Sequence, residues 1–263
     1  MKAIYHIFII ILISFLGGGC NSDMVPGKET DVSATGRFTV SVLTEEVTTE
    51  DITRGTISNM DVNKFKVSIA DAKGLTLVAG KEVGTLEDND RILPVADDYL
   101  IQVTNCMEEE AISANDGWGC IRFLASETFD IVAGSITPLE LECTMANAGL
   151  MVLFDESFTN KFPVHAATTQ DIRSLVFKSD NPDKEVAYYN LSQSQGTVPL
   201  RLTGGSAGKW EDRIDKTENI TITKGKITKL HVSFSENGGD INVDINTDRE
   251  MEKDTINVEV TIQ

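Results

Sequence analysis

Apolar and polar residues alternate with a period of two in stretch after stretch of this chain. Phe38, Val40 and Val42 are interleaved with Arg37, Thr39 and Ser41, and Phe65, Val67 and Ile69 with Lys64, Lys66 and Ser68. The same phase recurs at Tyr99, Ile101 and Val103, at Leu150, Val152 and Phe154, and at Leu230, Val232 and Phe234. Successive side chains of a β-strand point to opposite faces, so each stretch predicts an antiparallel strand with one face on a core and one in water. Turn signals punctuate the strands: Asp71-Ala72-Lys73-Gly74, Asp88-Asn89-Asp90, Ala133-Gly134-Ser135, Asn181-Pro182-Asp183, Gly204-Gly205, Lys224-Gly225-Lys226 and Gly238-Gly239. Helical periodicity is scarce, and many short strands at this spacing predict an all-β protein made of antiparallel β-sandwiches. Thr144-Met145-Ala146-Asn147-Ala148 interrupts two strong strand patterns and is taken as the boundary between a first sandwich, residues 36–143, and a second, residues 144–263.

The chain starts differently. Met1-Lys2-Ala3 leads into a largely apolar run from Ile4 to Leu16 and then Gly17-Gly18-Gly19-Cys20. A basic start, a short greasy stretch and small residues before a cut site are the parts of a signal peptide, read here as residues 1–19. The run is too short to span a bilayer, which takes about 20 apolar residues. Retention at a membrane is therefore assigned to lipid, palmitate among its acyl chains, on Cys20. Three glycines suit the steric demand of the peptidase, although Leu16 stands four residues before Cys20 where the usual pattern has three. Residues 20–35, polar and carrying Pro26 and Gly27, read as a lipidated tether.

Charge narrows the partners. Lys and Arg number 23 against 41 Asp and Glu, a net charge of −18, and loss of Lys2 with the leader makes the body more negative still. Such a surface repels nucleic acid and anionic lipid, so neither is expected to bind the body. With Cys20 lipidated, Cys106, Cys120 and Cys143 remain. Cys106 ends the strand pattern Tyr99 to Asn105 and Cys120 begins the pattern Cys120 to Leu124, so the two are candidates for a disulfide across a hairpin. Cys143 lies within Leu139-Glu140-Leu141-Glu142-Cys143 and reads as a small buried hydrophobe. The spacing of these cysteines does not suit zinc, and no metal is expected.

No catalytic constellation emerges, and the chain is not expected to be an enzyme or to need a cofactor. Beside His6 in the leader there are only His165 and His231, neither tied to a serine, cysteine or carboxylate by a triad spacing, and both read as surface residues. Gly204 to Lys209 superficially resembles a phosphate-binding loop, but Thr203 and Trp210 stand where that loop needs a glycine and a hydroxyl, so the segment reads as a flexible turn. Asp88, Asp90, Asp97 and Asp98 do not follow the spacing of a calcium loop and read as a solvated acidic stretch. Trp118, between Gly117 and Gly119, is either a sugar-stacking platform or, as the scarcity of other aromatics favours, a core or edge tryptophan.

Several stretches, taken in order, resemble the fimbrillin-like lipoproteins of Gram-negative gut anaerobes, a domain-of-unknown-function family related to type V pilins. They are Gly36-Arg37-Phe38-Thr39-Val40, Thr53-Arg54-Gly55, Phe65-Lys66-Val67-Ser68-Ile69 with Asp71 to Gly74, Leu93-Pro94 leading to Asp98-Tyr99, Cys143-Thr144-Met145-Ala146-Asn147, and Ala187-Tyr188-Tyr189. Where the family pattern has a glycine turn after Leu-Pro, this chain has the longer Val95-Ala96-Asp97-Asp98. The resemblance implies two transthyretin-like sandwiches in tandem, a place on the outer membrane facing outward, and a structural or adhesive fimbrial-type subunit whose partners are other subunits or its own copies. The alternative is a surface lipoprotein that never polymerises and binds glycan or another ligand.

Two site expectations accompany it. Arg54, in the polar stretch between two strand patterns, is accessible to a trypsin-like protease, and in the related pilins such a cut opens a groove. Ile256, Val258, Val260 and Ile262 alternate with Asn257, Glu259 and Thr261 at the C-terminus. That strand either closes its own domain or is lent to a neighbour, and the resemblance favours the donor.

Overall fold

In the computed structural model, which describes residues 34–44, 60–179, 186–206, 209–237, 240–247 and 259–260, the alternating stretches become strands and the chain is all-β. The first sheet is built from β1 (Thr35–Thr44), β2 (Lys66–Ala70), β3 (Thr76–Glu82), β4 (Ile92–Pro94), β5 (Ala96–Thr104), β6 (Phe123–Ile131) and β7 (Ile136–Met145). Their order is β3-β2-β5-β6-β7-β1-β4. Because β6 meets β7 only at Phe123↔Met145 and Leu124↔Thr144, the ribbon β3-β2-β5-β6 can fold over the ribbon β7-β1-β4. Phe38 of one ribbon meets Phe129 of the other with ring centroids 5.9 Å apart. Phe38, Phe65, Val67, Ile69, Tyr99, Ile101 and Val103 are all buried in the cluster between them, as their shared phase predicts.

The second half contributes β8 (Ala148–Phe154), β9 (Val164–Thr169), β10 (Val176–Phe177), β11 (Val186–Tyr189), β12 (Gln195–Ser206), β13 (Lys209–Thr223), β14 (Ile227–Asn237), β15 (Asp240–Thr247) and β16 (Glu259–Val260). These form a four-stranded sheet, β10-β9-β12-β13, and a five-stranded sheet, β11-β8-β14-β15-β16. A second cluster, with Leu150, Phe158, Phe162, Phe177, Leu200, Ile222, Leu230 and Val232 buried in it, packs their apolar faces together. Two short helices, α1 (Glu108–Ser113) and α2 (Glu156–Lys161), interrupt the strands.

Pairing is antiparallel except in two places. β1 runs parallel to β7, Arg37↔Ile136 through Thr44↔Cys143, and β8 runs parallel to β14, Gly149↔Ile227 through Phe154↔Val232. Alternation alone carries no direction. Parallel partners need a long crossover between them, and here that crossover is the intervening set of strands in each half.

One turn expectation needs correction. Gly204 and Gly205 lie inside β12 rather than in a turn. Gly204 is small because a Cβ there would stand 3.1 Å from the Phe162 ring, so the glycine marks a close approach. The stretch resembling a phosphate loop joins two antiparallel strands, β12 and β13, whereas a phosphate loop leads from strand to helix. Three other signals hold: Gly74, Gly134 and Gly225 have φ of 81°, 69° and 78° at the β2–β3, β6–β7 and β13–β14 turns, while Asn181-Pro182-Asp183 and Gly238-Gly239 lie outside the described residues.

β8 is also not the half-buried strand expected of it. Ala148 through Val152 are all buried. Ala148, Leu150 and Val152 belong to the second cluster and Met151 to the first. Its neighbour β11 divides in the same way, with Val186 and Tyr188 in the first cluster and Ala187 in the second. The two clusters thus share a pair of strands as their common wall.

Candidate functional site

Much of the expected machinery lies outside the described residues. That applies to the leader and Cys20, to Arg54, and to Ile256, Val258 and Ile262. Of the expected donor strand, Val260 is described, in β16, where it is the antiparallel partner of Ile241 in β15. β16 is the last strand of its sheet.

Chemistry-bearing side chains converge instead on the excursion between β5 and β6. It leaves at Asn105, turns through α1, and returns along Trp118 to Arg122. Glu108, Glu109 and Glu110 occupy the first turn of α1, where negative charge complements the exposed backbone N–H groups. The Glu110 carboxylate accepts the Met107 N–H at 2.8 Å and holds Lys66 at 3.3 Å. Together these keep its pKa below the usual carboxylate value, the Met107 bond contributing most. After the helix the backbone enters the left-handed region at Asn115, Asp116, Gly117 and Gly119. At Gly119, with φ of 84°, a Cβ would stand 2.4 Å from the Ala111 carbonyl oxygen. Glycine is required there by conformation and space together.

This turn delivers Trp118 into the second cluster, not the first. Its ring meets Phe177 edge to face at 4.9 Å, and only 6% of the residue is exposed. The core reading of Trp118 therefore holds, in the core of the other half. Main-chain bonds fix it: the Tyr188 N–H donates to the Trp118 carbonyl at 2.8 Å, and the Cys120 N–H donates to the Ala111 carbonyl at 2.8 Å. Arg173 donates from Nη1 to the carbonyls of Gly117 at 3.1 Å and Tyr188 at 2.8 Å, while its guanidinium lies 4.1 Å from the centre of the Tyr189 ring. Asn147 is completely buried between β7 and β8. Its Nδ2 donates to the Cys120 carbonyl at 2.8 Å and its Oδ1 accepts the Arg122 N–H at 3.1 Å. A buried amide with both ends bonded specifies one arrangement of the chain.

Cys106 and Cys120 stand at the two ends of the excursion, as thiols with Sγ atoms 3.9 Å apart. They face each other from outside the strands, since β5 ends at Thr104 and β6 begins at Phe123. The two thiols share a hydrogen bond in which either sulfur can be the donor, and this contact holds the Cys120 pKa down to about 7, against burial and the Glu110 charge. The same contact, with burial behind it, pushes Cys106 well up. Cys143 is apart from them, fully buried in the first cluster, with its thiol 3.7 Å from the Val103 carbonyl and its pKa pushed by burial up to about 11.

His165, Asp88 and Asp90 have structural partners. His165 is half-buried rather than on the surface. Its Nδ1 is 2.7 Å from the Phe162 carbonyl, its Nε2 is 3.0 Å from Ser179 Oγ, and its ring lies 4.6 Å from that of Phe154. No spacing in the sequence announced Ser179 as its neighbour. Asp90 accepts the Glu87 N–H and pairs with Lys81, which is the first cause of its lowered pKa. Asp88 pairs with Arg37 at 3.3 Å. Among the described residues no group of three His, Cys, Asp or Glu side chains is placed to hold a metal ion.

Residues 34–262 match the sequence model of a family described as Domain of unknown function (DUF4493). No curated protein matches the chain. Among solved structures, a fimbrial assembly protein from Parabacteroides distasonis is 9% identical, covering 82% of this chain and 96% of its own, with a TM-score of 0.42. The fimbrial anchor protein Mfa2 from Porphyromonas gingivalis is 11% identical, covering 81% of this chain and 97% of its own, with a TM-score of 0.40.

Proposed function

The chain belongs to this family of unknown-function domains, and from that premise we propose that it is a structural or adhesive subunit of the fimbrial type, held at the outer face of the outer membrane by lipid on Cys20. Its body consists of two transthyretin-like sandwiches in tandem, and its partners are other fimbrial subunits or further copies of itself. The proposal gives the chain no catalytic step.

The observation that carries this reading is the position of the terminal strand. β16 lies at the end of the order β11-β8-β14-β15-β16, paired with β15 at Ile241↔Val260 and Asn242↔Glu259. A terminal strand at a sheet edge is the element a chain can lend, because the edge it leaves accepts any strand of matching phase. Within one chain the strand occupies its own edge; between chains a neighbour's strand takes the same place. The leader and Cys20 support the reading by supplying export and an anchor. The shared wall of β8 and β11 supports it too, since a load-bearing subunit needs its two cores coupled.

Deleting Thr255 to Gln263 tests it. The truncated chain is expected to keep its thermal melt and to lose assembly in size-exclusion chromatography after protease activation. A melt that collapses on truncation would show the strand to be intrinsic and count against strand donation.

A further inference from the structure

Cys106 and Cys120 bracket the excursion that carries Trp118 into the second cluster, and the proposed function leaves them unused. We infer that they form a redox site in which Cys120 attacks a disulfide-bearing oxidant, Cys106 resolves the product, and the resulting disulfide locks the Trp118 excursion between the two cores.

Geometry provides the pair. The sulfurs are 3.9 Å apart, against about 2.05 Å when bonded, so closure asks for a small approach of two side chains. The backbone at Cys120 is already fixed, its N–H on Ala111 and its carbonyl on Asn147. Exposure provides the order. Cys120 is half-buried whereas Cys106 is buried, so an oxidant from solvent reaches Cys120 first. The charged and titratable groups acting on the pair are Glu110, which opposes ionisation of both thiols, and Arg122, which favours it at Cys106. The contact between the two sulfurs outweighs these at Cys120 and makes it the readier thiolate, the form that attacks. Cys143, buried and bonded to the Val103 carbonyl, stays out of exchange.

The step balances without a metal or cofactor. Cys120 thiolate attacks one sulfur of the oxidant, forming a mixed disulfide and expelling the other sulfur as thiolate. Cys106, deprotonated, then attacks the Cys120 sulfur and expels the oxidant's second sulfur. Two cysteine thiols are oxidised, the oxidant disulfide is reduced to two thiols, and the two cysteine protons end on those thiols. The bridge closes the segment 106–120, which contains α1, Trp118 and Gly119.

Oxidised glutathione is the probe, applied to the reduced full chain carrying Cys20→Ser, with peptide mapping by mass spectrometry. The expected products are a Cys106–Cys120 bridge with Cys143 still a thiol, a stable glutathione adduct on Cys120 in Cys106→Ser, and an unmodified Cys106 in Cys120→Ser. Bridging should also slow amide hydrogen exchange at Gly119 and Cys120 by at least about tenfold. Should a variant fail to fold, brief alkylation of the reduced Cys20→Ser chain with all three body cysteines present still decides the order, with Cys120 modified before Cys106. Free thiols at both positions after prolonged exposure, a glutathione adduct on Cys106 in Cys120→Ser, or unchanged exchange on bridging would each overturn the inference.

Discussion

The backbone N–H of Tyr188 donates to the carbonyl of Trp118 at 2.8 Å, joining the β5–β6 excursion to β11 main chain to main chain. The side chains then part: Trp118 enters the second cluster and Tyr188 the first. Each half therefore buries a residue from the far side of the connection between β7 and β8. Separating the halves would expose Trp118, strand β11 and Met151 together, so the two cores are expected to unfold as one.

Trp118→Ala should lower unfolding free energy by about 3–5 kcal/mol, the usual cost of emptying a large aromatic site, and Trp118→Phe should retain most of the stability. Urea unfolding followed by circular dichroism measures both. If Trp118→Ala is neutral, the ring does not couple the cores.

Two neighbouring glycines separate conformation from space. Gly117 has φ of 87° with nothing near its missing Cβ, while Gly119 has φ of 84° and the Ala111 carbonyl 2.4 Å from that position. Gly117→Ala should cost about 1–2 kcal/mol for the left-handed backbone. Gly119→Ala carries the same penalty plus a clash with main chain, so its denaturation midpoint should fall further. Equal midpoints for the two variants would contradict the close approach at Gly119.

Alkylation of Cys120 should depend on pH with a midpoint of about 7. Only the thiolate reacts, so the rate should climb as pH rises through that value and level off above it. Cys106 should remain slow across the same range, because the first ionisation of the pair raises the cost of the second. Stopped-flow or quenched alkylation with mass mapping gives both profiles. A Cys120 midpoint in the ordinary thiol range would remove the contact with Cys106 as its cause.

Limited trypsin digestion should cut first after Arg54 and leave a folded body beginning at Gly55, since Arg54 lies in a polar stretch between strand patterns. Mass spectrometry that finds Arg54 intact while other sites are cut would contradict this.

Period-two alternation made most strands legible, because the residues it selected, Phe65, Val67 and Ile69 or Tyr99, Ile101 and Val103, are the ones the structure buries. It misled at β8. Ala148-Gly149-Leu150-Met151-Val152 is apolar in both phases, the mark of a strand buried on both faces, and reading one phase alone hid the shared wall. Direction was illegible too, since β1 and β7 are distant in sequence and no hairpin turn sets their sense. Gly204 looked like a turn because glycine opposite an aromatic ring and glycine at a bend are the same letter. For the excursion, Gly117-Trp118-Gly119 did signal an unusual backbone around a large ring, and Cys106 and Cys120 signalled proximity. What the sequence lacked was any sign that Trp118 is buried in the other half's core, a contact made by Phe177 and Arg173 from far along the chain.

The proposed role as a surface fimbrial-type subunit is tested most directly by immunogold electron microscopy of intact, unpermeabilised cells producing the chain, beside cells producing Cys20→Ser. The account predicts gold on surface filaments in the first and loss of cell-bound label in the second. Label that appears only after permeabilisation, or is unchanged by Cys20→Ser, would contradict it.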